Sequence, residues 1–181
     1  MKLGSMNNGI ESEHRYSNQY EIIKYQDGTE CLKVTTSDSG ADLLTRLGRN
    51  ISPNWFFLYV LLIPHSENTA GRYQSSVIQS YDGVVAFIQK FKSFLDGDGK
   101  HHLWLRSTTR EDLIIYDNHN ILYCYGPIQR FIHELAGFKV GFVRYPAPHT
   151  HHYNTNSTKF EQLVLDEFPW KFFPLGEHDN C

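Results

Sequence analysis

The chain has 181 residues, of which 40% are apolar and 14% aromatic, and a formal charge of −3. That is enough apolar chain to close a core without disulfides or a structural metal, and it excludes a disordered polypeptide. No Lys/Arg stripe is present to neutralise phosphates, which argues against nucleic acid as a direct partner.

Residues 1–18 are polar and irregular and read as a mobile lead-in to a single globular domain over 19–181. The opening Met1-Lys2-Leu3-Gly4-Ser5-Met6 lacks the apolar stretch of a secretory signal, and Met6 offers an alternative start. Tyr20–Tyr25 and Cys31–Thr35 flank Gln26-Asp27-Gly28-Thr29, a hairpin signal in which Asp-Gly supplies the turn. Ser37-Asp38-Ser39 then offers cap chemistry for a helix through Ala41, Leu43, Leu44 and Leu47, stopped by Gly48.

Trp55 to Ile63 is a run of nine apolar residues ending at Pro64. It is about half the ~20 residues a bilayer requires, so it reads as a strand buried on both faces rather than a membrane span. A polar loop is expected over 64–81, and Asp82 is placed to cap a helix carrying Val84, Val85, Phe87, Ile88, Phe91, Phe94 and Leu95 at helical spacing. A three-stranded meander follows over His102–Ser107, Leu113–Tyr116 and Ile121–Tyr125. A helix opened by Pro127 comes next, then a strand over Phe138–Tyr145, a helix from Ser157, and an aromatic tail. Strands joined by hairpins and interspersed with helices predict an α+β fold, a mainly antiparallel sheet with helices packed on one face.

Three imidazoles, His149, His151 and His152, crowd the proline-stiffened segment 146–153 between Tyr145 and Tyr153. In extended backbone His149 and His151 share one side and can grip one ion, while His152 faces away. A zinc site needs at least one more ligand; His133, Glu161, Asp166 and the His101/His102 pair are candidates. His119 lies in the turn Asp117-Asn118-His119-Asn120, where Asp and Asn suit the backbone. An Asp117–His119 pair gains chemical interest only where the ring reaches the His149 loop.

On the strand His101–Arg106, His102, Trp104 and Arg106 fall on one face, a polar-aromatic set suited to recognition. Asp96-Gly97-Asp98-Gly99 has the outline of a calcium loop. An EF-hand aligned on Gly99 would need acids where Phe94 and Leu105 stand, so a turn is expected. Cys31, Cys124 and Cys181 are odd in number and far apart, with no CxxC pair, which reads as reduced thiols and a cytoplasmic protein. No GxSxG motif or glycine-rich phosphate loop occurs.

The ordered segments NWFFLYVLLIP, GRYQS, DGDGKHHLWLRS, IIYDNHNILYCYGP, PAPHTHHY and FPWKFFPL span residues 54–175. Through them the chain resembles a family of small, single-domain, cytosolic bacterial proteins similar to orphan and polymorphic-toxin immunity proteins, which neutralise a delivered toxin by binding it. The resemblance implies a non-catalytic binder of a cognate protein toxin or effector domain, a monomer or small homo-oligomer without cofactor, and carries no residue roles. The expected binding surface comprises His102, Trp104, Arg106, His119, Tyr145, His149, His151, His152 and Tyr153. The competing expectation is a small zinc-dependent hydrolase with His149 and His151 as ligands and Asp117 or Glu161 as base or further ligand.

Overall fold

The computed structural model describes residues 2–7, 10–153, 156–177 and 179. Its first elements correct the expectation of an irregular lead-in: β1 (Leu3–Asn7) and β2 (Ile10–Glu13) form an antiparallel hairpin from Gly4↔Glu13 to Asn7↔Ile10. The residues are polar because β2 is exposed along its length, whereas Lys2, Leu3 and Gly4 are buried against the rest of the protein.

The expected hairpin follows as β3 (Gln19–Lys24) and β4 (Glu30–Thr35), with Gly28 at φ 85° in the turn between them. That left-handed φ is one a residue with a Cβ rarely adopts. Ser39 caps α1 (Gly40–Gly48), its hydroxyl accepting from the Asp42 N–H at 3.0 Å. Next come β5 (Trp55–Leu61) and β6 (Gly71–Gln74), the latter a strand inside the expected loop. Helix α2 (Tyr81–Gly97) begins after Ser80, so Asp82 sits in its first turn rather than at its cap. The meander is β7 (His101–Ser107), β8 (Leu113–Tyr116) and β9 (Leu122–Tyr125).

Beyond α3 (Ile128–Glu134), the strand expected over Phe138–Tyr145 shrinks to β10 (Lys139–Val140), a two-residue parallel pairing with β3. Val140 and Phe142 there face solvent at 77% and 79% exposure, while Phe138 and Val143 turn to the core, so the alternation of this segment does not mark one buried strand face. The last elements are β11 (His149–His151), α4 (Ser157–Leu165), entered from Asn156 rather than capped by Ser157, and β12 (Lys171–Phe173) from the aromatic tail.

Nine strands form one sheet in the order β10-β3-β4-β9-β8-β7-β5-β6-β12, antiparallel except at β10–β3, while β11-β1-β2 form a second, smaller sheet. Alternation decides what each face of the large sheet does. Leu32, Val34, Phe57, Tyr59, Leu103, Leu105, Ile114 and Leu122 point to one side and join the apolar faces of the helices in a single buried cluster. From α2 that cluster takes Val84, Phe87, Ile88, Phe91, Phe94 and Leu95, the residues at helical spacing. Truncating one of these phenylalanines to Ala costs about 3–5 kcal/mol by the usual behaviour of large-to-small core changes.

The fold is thus the expected α+β arrangement. Cys31 and Cys124 are free and buried, and Cys181 lies outside the described residues. Among the described residues no helix is long and apolar enough to cross a membrane.

Candidate metal centre

The turn joining β8 to β9 is held by a single carboxylate. Asp117 Oδ1 accepts from the backbone N–H of His119 at 2.9 Å and of Ile121 at 2.8 Å, while Oδ2 lies 3.1 Å from His119 Nδ1. Burial pushes the Asp117 carboxyl upward, but the bond and charge of His119 outweigh it and hold the pKa below the ordinary value. An ionised carboxylate can only accept, so His119 Nδ1 carries a proton, and the tautomer this selects for the neutral ring has its lone pair on Nε2. Asn120 takes the left-handed conformation at φ 63° that closes the turn.

The second segment arrives by strand pairing. β11 lies against β1 with Leu3↔His151, Gly4↔Thr150 and Ser5↔His149 in register, and the two histidines project to one side of it. His149 Nδ1 lies 3.0 Å from the Pro146 carbonyl, an acceptor, which selects the same tautomer, with the lone pair of the neutral ring on Nε2. His151 Nδ1 is enclosed and has no hydrogen-bond partner among the described residues. Burial, then the neighbouring His119 and His149, lower its pKa to about 4, so the ring is neutral at physiological pH as a metal ligand must be. A Cβ on Gly99 would sit 2.9 Å from both His151 Nδ1 and the Lys2 carbonyl, so this ring position depends on a glycine.

His119, His149 and His151 bring one ring nitrogen each to within 4.8 Å of one another. Three atoms that close lie within 4.8/√3, about 2.8 Å, of a common point, against zinc–nitrogen bonds of about 2.0–2.1 Å. The ring centroids stand 5.1, 4.9 and 5.2 Å apart. Three imidazoles on the corners of a tetrahedron around zinc would have centroids about 5 Å apart, from the bond length plus about 1.1 Å to the ring centre. Tyr145 stacks on His119 with centroids 4.2 Å apart and planes 12° from parallel, and meets His149 edge-on at 4.9 Å.

Compared with protein-family models, curated proteins and solved structures, the chain gives no match.

The site is therefore read from its geometry. Of the expected surface, His119, Tyr145, His149 and His151 come together. His102 and Trp104 border the cavity that reaches His119, and the His102 ring lies 3.1 Å from Asn118 Oδ1. Arg106 stands further along the strand, paired with Glu111 at 2.8 Å. Two expected members point elsewhere. His152 turns outward to Glu11 at 2.8 Å, and Tyr153 packs on His65 and under the Lys100 ammonium.

The other candidate ligands also fall away. Glu161 is buried but accepts from the His65 N–H, Ser66 and Asn68, and Asp166 takes a bond from Gln162. His101 faces the helices, stacked on Phe94 with centroids 4.6 Å apart, and His133 lies on α3 outside the cluster. Lys2, which composition hides, is fully buried; its Nζ donates to the Asp117 carbonyl at 2.8 Å. A lysine near a polar N-terminus gives no sequence signal for such a role.

Proposed function

We propose that the chain binds a divalent transition metal, zinc by its donor set, through His119, His149 and His151 and works as a metal-dependent hydrolase. The observation that carries this reading is the convergence of three imidazole nitrogens with Asp117 behind His119. A carboxylate bonded to the far nitrogen of a histidine is the arrangement that orients metal ligands and raises their basicity. Zinc bound by these three imidazoles would supply an activated water, since a zinc ion with three protein ligands lowers the pKa of bound water to about 7. His119 and His149 present oriented lone pairs, Tyr145 keeps solvent off one side of His119, and Asp117 holds the turn that places it.

Elemental analysis of protein purified without nickel chromatography tests the reading. One equivalent of zinc is expected in the wild-type protein, with loss of most of it on His119→Ala or His149→Ala. Wild-type protein that remains metal-free after exposure to zinc sinks the proposal.

A second reading, a non-catalytic immunity-type protein that captures a toxin or effector domain, is supported by the uncovered sheet face carrying Trp104, Arg106, Tyr123 and Tyr125. Trp, Tyr and Arg are the side chains that dominate protein interfaces. Co-expression with the product of an adjacent toxin gene would show a stable complex and protection of the host; neither effect would appear if the reading is wrong.

A further inference from the structure

The face of the large sheet away from the helices leads to one member of the histidine cluster, His119. A cavity of about 410 Å³ adjoins Asp117, His119 and Tyr145 at one side, and its floor and walls include Trp104, Tyr123 and Lys33. That volume lies in the range of small-molecule sites, about 300–1,000 Å³. A second cavity of about 490 Å³ continues along the sheet and shares Trp104, Ile115 and Tyr125 with the first.

Strand register fixes the order of the chemistry. Trp104 pairs with Ile115, Ile115 with Tyr123, and Tyr123 with Lys33, so four side chains form one row across β7, β8, β9 and β4 on the same face. Neighbouring strands are about 4.8 Å apart, which sets Trp104 and Tyr123 about 10 Å apart at the backbone with the lower Ile115 between them. Allowing for the rings' own thickness, that spacing leaves a slot for one flat ring, stacked or edge-on against aromatic neighbours.

Charge selects the rest. Lys33 is the one Lys or Arg on the cavity wall among the described residues, and its partner Glu21 stands at 3.8 Å, a loose contact. The carboxylate of Asp117 is already engaged by His119 and two backbone N–H groups. With a dication on the three histidines, positive charge would stand behind the His119 end of the cavity and at Lys33, a field that draws anions.

We propose that the metal centre acts on a small anionic compound built on a planar aromatic ring, the ring seated between Trp104 and Tyr123 and its negative group facing Lys33. This rests on the metal reading above.

Calorimetric titration of zinc-loaded protein with benzoate, cyclohexanecarboxylate and benzyl alcohol separates the contributions of ring and charge. Benzoate is expected to bind at least tenfold more tightly than either comparison compound. Trp104→Ala and Lys33→Met should each weaken benzoate about tenfold, while Trp104→Phe, which keeps a ring and guards against a folding defect, should retain most of the affinity. Zinc content is measured on every sample. Stoichiometric zinc with benzoate unbound, or bound no better than both comparison compounds, overturns this proposal and leaves the metal reading intact. Protein that takes up no zinc overturns the metal reading and this one with it.

Discussion

Lys2 Nζ donates to the carbonyl of Asp117 at 2.8 Å, while the Lys2 carbonyl accepts from the His152 N–H at 2.7 Å. One residue thus ties the His119 turn to the strand that carries His149 and His151. Its ammonium also lies 3.8 Å from the centre of the Tyr116 ring.

Burial lowers the Lys2 pKa from 10.5 to about 8, against the upward pull of Asp117, Asp96 and Asp98. Between about pH 8 and 10.5 the unfolded chain therefore holds a proton that the folded chain has released, and stability from this group rises with pH. The full effect is about 3 kcal/mol, at about 1.4 kcal/mol per pKa unit. Urea unfolding of wild type and Lys2→Met at about pH 7.5 and about pH 10 reads it out as a difference that grows in favour of the wild type. A difference that stays constant would show that Lys2 is not buried as described.

His101 gives the acid side of the profile. It is fully buried between Phe94 and Tyr59, and burial lowers its pKa to about 4, with Asp98 pulling the other way. As pH falls from about 6.5 to about 4, the unfolded chain takes up a proton that the folded chain refuses, so stability is lost across that window. His101→Phe should flatten this part of the curve, measured by thermal unfolding through the same pH range.

Asp117→Asn separates turn from tautomer. The amide oxygen can still accept from His119 N–H and Ile121 N–H, but the His119 Nδ1–H would lose its carboxylate acceptor. Metal affinity is expected to fall by about 10–100-fold, the usual effect of losing such a partner, with modest change in stability. Competition with a chromophoric chelator measures the first and calorimetry the second. Asp117→Ala should add a destabilisation of about 1–3 kcal/mol from the buried N–H groups left without an acceptor.

Gly99→Ala should act at a distance in sequence from every ligand. The new methyl would press on the Lys2 carbonyl and on His151 Nδ1, both 2.9 Å from its ideal position. A cost of about 1–3 kcal/mol is expected from overpacking, with at least a tenfold loss of zinc affinity in the chelator assay. An unchanged affinity would separate the Gly99 turn from the centre.

The large sheet was legible because its strands alternate and its turns carry Asp-Gly and Asn-rich signals; β7 puts His102, Trp104 and Arg106 on one face as period two demands. The pairing of His149 with His151 followed from the same rule. What sequence could not supply was convergence. His119 reaches the cluster only because β8 and β9 end where β11 is laid down by β1, a contact between residues some 30 and 150 positions apart. β2 and β6 were hidden by polar composition, since strands at or near a sheet edge need few apolar residues. The strand expected over Phe138–Tyr145 failed in the opposite sense: its apolar residues alternate, yet Val140 and Phe142 face solvent and only two residues pair as β10.

The three residues of β1 in register with β11 are Leu3, Gly4 and Ser5, and all three precede Met6. The histidine strand is therefore templated by three consecutive residues: removing them together with Lys2 would take away every backbone partner that β1 offers β11, and the buried lysine with it, while leaving all nine strands of the large sheet in place.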